Sequence, residues 1–208
     1  MPILTTSYFE NYQPLADLVL PNLQAYCDRH GYGLRTQISD DTRSYGFQKI
    51  EQMRDALPDT DMVLCCDIDI LITNFNYKIE DFTDPDHDAY FVIDRCGLNS
   101  GVSIWCNRPT AYEYIDAVMA QEKLGVHWHE QSAITDLVRC WKRSKFLPHP
   151  SINSYLYREY GENRPQTEGQ WFKGDFLLHL PGMPLKRRLE IVTRKLAHDI
   201  ITEDQTQL

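Results

Sequence analysis

Met62-Val-Leu-Cys-Cys-Asp67-Ile68-Asp69-Ile-Leu-Ile72 is the stretch on which the reading of this chain turns. Met62 to Cys66 is a continuous apolar run of strand length, the pattern of a strand covered on both faces. Adjacent strand residues point to opposite faces, so Cys65 and Cys66 are expected as small buried hydrophobes on either side of one sheet. The run then meets two carboxylates two residues apart and resumes with Ile70, Leu71 and Ile72. On an extended chain Asp67 and Asp69 point to the same side. Two like charges beside a core are costly unless a cation neutralises them. A divalent ion with oxygen ligands does so and keeps positions free for phosphate oxygens. The plainer alternative is an acidic strand end without a ligand, in a chain with 30 acidic residues. The apolar flanks on both sides favour the metal or substrate role.

Working outward, strand and helix signals alternate. Ile3 to Ser7 reads as an opening buried strand, and Leu15 to His30 as a helix stopped by Gly31, with Pro21 expected to kink or restart it. Gly33 to Ile38 is a second strand. Phe47 to Leu57 is a helix with Phe47, Ile50, Met53, Arg54 and Leu57 on one side. Beyond the central stretch, Tyr90 to Ile93 and Val102 to Cys106 are strands, Pro109 to Gln121 and Glu130 to Val138 helices, and Phe176 to Leu180 a last strand. A basic amphipathic helix runs from Leu185 to about His198. The alternation predicts an α/β sandwich with a mostly parallel central sheet flanked by helices, and ligands beyond the carboxyl ends of its strands.

A length of 208 residues suits a single domain, residues 1–208, of which 185–208 are the basic helix and tail. With 42% hydrophobic and 25% charged residues the composition is that of a globular protein. The net charge of -9 disfavours polyanion partners. Two basic stretches, Arg139 to Lys145 and Lys186 to Lys195, run against that average. They read as solvated helix faces and keep a polyanion acceptor, such as nucleic acid, as the minority possibility. The six cysteines form no CxxC pair, which makes a disulfide framework improbable and a reducing cytoplasm the expected compartment. No signal-length apolar segment follows Met1, and no stretch approaches bilayer length, so a soluble chain without membrane contact is expected.

Taken with its surroundings, the Asp67-Ile-Asp69 segment resembles the DxD motif of GT-A glycosyltransferases. The likeness is to the retaining galactosyl-, mannosyl- and xylosyltransferase family that includes plant xyloglucan xylosyltransferases, and more distantly to glycogenin-like enzymes. The landmarks occur in order: an opening strand and a helix ending Cys27-Asp-Arg-His-Gly-Tyr; Lys49-Ile50; Asp67-Ile-Asp69; Gly97-Leu-Asn99-Ser-Gly101-Val; Glu130-Gln131-Ser-Ala-Ile; and His179-Leu-Pro-Gly182. They span residues 3 to about 186.

The resemblance implies a GT-A fold and transfer of a sugar from a nucleotide-diphosphate donor, UDP-linked first, to a hydroxyl acceptor with retention. It implies that Asp67, Asp69 and His179 hold Mn²⁺ or Mg²⁺, Mn²⁺ being favoured by an imidazole beside carboxylates. Thr5, Lys49, Asp67, Asn99, Gly101, Gly182 and Lys186 would contact the donor, and Glu130 and Gln131 would lie beneath its anomeric carbon as the catalytic pair. Lys186 sits one residue further from the His-x-x-Gly motif than the glycogenin-like lysine. Without the resemblance, His179 reads as a core histidine, Lys49 as an exposed helix lysine, Asn99 and Gly101 as a strand-entry turn, and Glu130 as a helix N-terminal acid. The acceptor is a glycan or small molecule by default.

Other readings stay open on the residues alone. His127-Trp128-His129-Glu130 could bind zinc, although no catalytic-zinc signature accompanies it; a loop presenting Trp128 and two histidines to an acceptor is favoured. Trp105, Trp141 and Trp171 are candidates for core, rim or sugar stacking. A metal-dependent sugar-nucleotide phosphohydrolase or nucleotidyltransferase would also need paired carboxylates. A nucleotidyltransferase should carry a Gly-rich loop where Thr5-Thr-Ser-Tyr-Phe-Glu10-Asn stands. A non-catalytic carbohydrate-binding module would need neither a diphosphate-binding metal nor Lys49.

Overall fold

The computed structural model describes residues 1–40, 43–122, 129–165 and 168–204, with residues 129 and 198–204 described by their backbone. In chain order the elements are β1 (Ile3–Phe9), α1 (Gln13–His30), β2 (Gly33–Ser39), α2 (Tyr45–Ala56), β3 (Met62–Asp67), β4 (Ile70–Ile72), β5 (Ala89–Asp94) and β6 (Gly97–Cys106). Then follow α3 (Pro109–Gln121), α4 (His129–Val138), β7 (Ser144–Leu147), α5 (His149–Ile152), β8 (Ser154–Tyr155), β9 (Leu177–His179) and α6 (Leu185–Asp204).

Six strands form the main sheet in the order β2-β1-β3-β6-β5-β7. β2, β1 and β3 run parallel, β6 is antiparallel to both β3 and β5, and β7 is parallel to β5. Five strands therefore point one way and β6 alone opposes them, as expected for a mostly parallel sheet. Because β6 is reversed, its first residues lie beside the carboxyl ends of β3 and β5; Cys66 pairs with Val102, which sets Asp67 next to Gly101. The six-residue β3 is buried on both faces. Leu64 and Cys66 pack with Leu15, Val19 and Leu23 of α1, whereas Val63 and Cys65 pack with Phe47 of α2, Ile115 of α3 and Ile134 of α4. A buried leucine such as Leu23, with no exposed area, contributes roughly 1.5–3 kcal/mol through burial.

Helix α1 closes with Gly31 in the left-handed region (φ 69°) and continues unbroken through Pro21. The expected restart does not occur; Pro21 is exposed, so the carbonyl that loses its helical partner can be hydrated instead.

The central stretch departs from the extended course expected for it. β3 ends at Asp67, Ile68 and Asp69 form a turn, and β4 leaves for a second sheet of order β4-β9-β8. Ile70 pairs with His179 in that sheet, and the Leu180 N–H donates to the Asp69 carbonyl at 3.1 Å. Asn22 of α1 secures β4 by exchanging two 2.9 Å hydrogen bonds with the Ile72 backbone. The turn thus carries the chain between the sheets and leaves both carboxylates at their junction.

Candidate active site

Asp67, at the end of β3, Asp69, in the turn, and His179, on β9, converge. One ligand atom from each lies within 4.8 Å of the others. His179 Nε2 is 3.3 Å from Asp69 Oδ1, yet that buried oxygen makes no hydrogen bond. The other imidazole nitrogen, Nδ1, is engaged by Asn153 Oδ1 at 2.8 Å. A carboxylate oxygen and a ring nitrogen facing one space without a hydrogen bond suit a shared cation, and one imidazole with two carboxylates suits Mn²⁺ or Mg²⁺. Burial adds to the case: Asp69 and His179 side chains are 6% and 2% exposed.

The surrounding charge is arranged around this cluster. Lys49 reaches from α2 to place its ammonium 2.8 Å from Asp67 Oδ1, 2.9 Å from Glu130 Oε1 and 3.0 Å from the Ser100 carbonyl. Burial alone would lower the Lys49 pKa, but Asp67 and Glu130 outweigh it and raise it well above its ordinary value. For Asp67 burial wins over Lys49 and raises the carboxyl pKa. On the opposite side Arg188, on α6, lies 3.1 Å from Asp69 Oδ2 and donates to the Leu180 carbonyl at 3.0 Å. Asp67, Asp69 and Glu130 therefore face two cations, Lys49 and Arg188, and an excess negative charge remains for a metal to neutralise.

Glu130 stands in the first turn of α4 and also accepts from the Ser100 hydroxyl at 2.9 Å. Its neighbour Gln131 accepts from the Ser100 N–H at 3.3 Å. Two glycines make room for these groups. A Cβ on Gly46 would meet Glu130 Oε2 at 1.4 Å, and one on Gly101 would meet His179 Cε1 at 2.4 Å. The room left by the missing side chain at Gly101 is taken by the imidazole.

Two cavities adjoin the cluster. The first, of about 330 Å³, is walled by Tyr8, Phe9, Tyr12 and Tyr45 and floored by Asp67, Asp69 and Arg188. Burial, with Asp67 nearby, raises the Tyr45 pKa well above normal, so its hydroxyl stays protonated and donates to the Ser7 carbonyl at 2.7 Å. The second, of about 290 Å³, is lined by Asp94, Asn99, Gln131, Tyr155, Tyr157 and Gly182 among others. Asn99 joins it to the cluster by accepting from the Gly101 N–H at 2.9 Å.

Of the residues singled out from the sequence, Asp67, Asp69, His179, Lys49, Asn99, Gly101, Glu130, Gln131 and Gly182 come together here. Lys49 is buried rather than an exposed helix lysine, with its ammonium against Asp67 and Glu130. Thr5 is fully buried in the middle of β1 and lines neither cavity; Tyr8 and Phe9, further along the strand, line the first. Lys186 is exposed and lines neither, while Arg188, two residues on, takes the place beside Asp69. His127, Trp128 and the His129 side chain lie outside the described residues. Trp105 and Trp141 pack in the core, and Trp171 sits under the Lys195 ammonium, 3.4 Å from its ring centre. Sequence reasoning passed over Arg188, Asp94, Asn153 and Tyr155. Asp94 did carry a signal, as an acid closing an apolar strand.

No family model matches the sequence, and no curated protein is similar to it in sequence. Solved structures are similar in fold. A glycosyltransferase involved in the glycosylation of the major capsid of PBCV-1 superposes with a TM-score of 0.75 at 18% identity, over 93% of this chain and 98% of that one. The chain has the GT-A glycosyltransferase fold. The galactosyltransferase LgtC, solved with donor and acceptor sugar analogues, gives a TM-score of 0.57 at 14% identity over 93% of this chain and 96% of its own. Mouse xyloside xylosyltransferase 1 gives 0.51 at 10% identity, covering 88% of this chain and 100% of that one. Identities this low carry the GT-A architecture and leave the chemistry to the site. No helix among the described residues is long and apolar enough to cross a membrane.

Proposed function

We propose that this protein is a metal-dependent glycosyltransferase that moves a sugar from a nucleotide-diphosphate donor, UDP-linked by first expectation, to a hydroxyl acceptor with retention of anomeric configuration. The observation that carries the reading is the Asp67–Asp69–His179 cluster, set beside an aromatic cavity and a second one that Asp94, Asn99 and Gln131 help to line. Asp67, Asp69 and His179 would hold Mn²⁺ or Mg²⁺, which supplies positive charge to a leaving diphosphate when bound.

The aromatic walls of the first cavity, Tyr8, Phe9, Tyr12 and Tyr45, suit a nucleoside, and Arg188 at its floor suits the diphosphate. Asn99, Gln131 and Gly182 suit the sugar. Gln131 lines that cavity, where an amide dipole would stabilise an oxocarbenium-like centre. Glu130 is held by Lys49 and Ser100 and lines neither cavity, which favours a positioning role over that of a base in an inverting reaction. Six free cysteines, four of them buried, favour a reducing compartment, and the cytoplasm is the proposed one. A neutral glycan or small molecule is the proposed acceptor. Arg143, Lys145, Arg187 and Arg194, from the two basic stretches, are engaged by Asp88, Asp84 and Glu159, which weakens the case for a nucleic acid.

The test is incubation of the protein with Mn²⁺ and a panel of nucleotide sugars, followed by proton NMR of the product from an α-linked donor. Slow hydrolysis or transfer with an α-product first formed supports the proposal. A β-product overturns retention, and neither turnover nor thermal stabilisation by any donor overturns the reading itself.

A further inference from the structure

A chain of hydrogen bonds connects the metal cluster to the second cavity through residues that neither the sequence motifs nor the proposed chemistry use. It runs from Asp94 to Tyr155, Asn153 and His179. The Tyr155 hydroxyl is 2.7 Å from Asp94 Oδ2, Asn153 Nδ2 is 3.1 Å from the Tyr155 hydroxyl, and Asn153 Oδ1 is 2.8 Å from His179 Nδ1. Asn153 and its links to Tyr155 and His179 are fully enclosed, so no solvent competes for these bonds.

The direction of every bond follows from one end. A carboxylate only accepts, so Tyr155 donates its single proton to Asp94. A phenol keeps its proton near neutral pH, so the proton given to Asp94 stays on Tyr155. The phenol oxygen is then left to accept, which it does from the Asn153 NH₂ group. This orients the Asn153 amide with its oxygen toward His179, so Nδ1 must carry a hydrogen to donate. The lone pair for a metal is thereby fixed on Nε2, the nitrogen that faces Asp69 Oδ1.

We propose that Tyr155 and Asn153 are positioning residues that impose the metal-binding tautomer on His179, with the Asp94 carboxylate at the second cavity as the group that sets the direction. The inference rests on the metal reading of Asp67, Asp69 and His179. It adds that ion affinity depends on a carboxylate belonging to the other cavity. Partners that fix a ligand histidine in this way typically change metal affinity by about 10–100-fold. Tyr155→Phe removes one oxygen and keeps the ring that packs against His149 and His179. It frees the Asn153 amide to rotate.

The experiment has two readouts. In the metal-free protein at pH 8, long-range ¹H–¹⁵N NMR of the imidazoles, with His179 assigned from a His179→Gln spectrum, should report an Nδ1–H tautomer in the wild type and a mixture in Tyr155→Phe. Mn²⁺ binding followed by electron paramagnetic resonance should weaken at least tenfold in Tyr155→Phe and further in Asn153→Leu. If Asn153→Leu does not fold, the one-oxygen variant decides. A pure Nδ1–H tautomer with unchanged Mn²⁺ affinity in Tyr155→Phe overturns the relay while leaving the metal site standing. Wild-type protein that binds no Mn²⁺ overturns the metal reading, and the tautomer spectra then decide the relay alone, an Nε2–H tautomer in the wild type refuting it.

Discussion

The Lys49 ammonium lies 2.8 Å from Asp67 Oδ1, enclosed so that 2% of its side chain is exposed. Lys49→Met would leave Asp67 and Glu130 buried beside each other without the charge that separates them. Breaking a buried ion pair from one side costs about 3–5 kcal/mol, so the urea midpoint should fall sharply. The sign with pH follows from the raised Lys49 pKa: its stabilisation is complete below the ordinary lysine value and is lost as pH rises through the higher folded one. The contribution of Lys49 to the wild type should therefore be constant from pH 6 to 9. An unchanged midpoint would remove Lys49 from the scaffold of the site.

Gly101→Ala probes the contact between β6 and the imidazole. The added methyl would stand 2.4 Å from His179 Cε1 and 3.0 Å from Nε2, closer than atoms tolerate. The ring must shift, and Mn²⁺ binding measured by calorimetry should weaken at least tenfold, with a modest loss of thermal stability. Wild-type affinity in this variant would mean that His179 is not a ligand.

Arg188 and Lys186 are two residues apart on α6 and make opposite predictions. Arg188→Gln removes a guanidinium from the floor of the aromatic cavity. Losing one charge-assisted contact is worth about 1.5–3 kcal/mol, so UDP affinity in the presence of Mn²⁺ should drop tenfold or more. Lys186→Gln, at an exposed position, should change it less than twofold. Equal effects would show that general positive charge on α6, rather than Arg188, attracts the donor.

Asp88 offers a control remote from the chemistry. Its carboxylate is 1% exposed and held by Arg143 at 2.7 Å and Arg108 at 2.8 Å. Burial raises its pKa, but the two guanidinium groups outweigh that and leave it lowered. Its stabilising effect is present above the unfolded carboxyl value of about 3.9 and disappears as pH falls through the lower folded one. Asp88→Asn should cost about 2–3 kcal/mol at pH 7, and chemical denaturation should show the gap to wild type closing below pH 4. Donor binding should be unaffected.

Long elements were legible in the sequence because each repeats its signal. Pro109–Gln121 matches its expected bounds, and the apolar β3 distributes Cys65 and Cys66 to opposite cores as the period of two requires. The second sheet was not, since β4 and β8 contain three and two residues and cannot express a period. For the same reason the turn at Ile68 and Asp69 was hidden: apolar residues on both sides of it look like one strand. Lys49 read as an exposed lysine because its partners Asp67 and Glu130 are far from it in the chain. Arg188 follows Lys186 and Arg187, and only the rotation of α6 against the sheets decides which of the three faces Asp69.

The junction of the two sheets also fixes when the site can exist during synthesis. Asp67 and Asp69 leave the ribosome more than a hundred residues before His179, and Arg188 emerges later still. A chain interrupted before β9 has all six strands of its large sheet and both carboxylates, yet nothing to pair with Ile70 and no imidazole to complete the cluster. The three-residue cluster can therefore assemble only once β9 has been made, whatever state the larger sheet has reached by then.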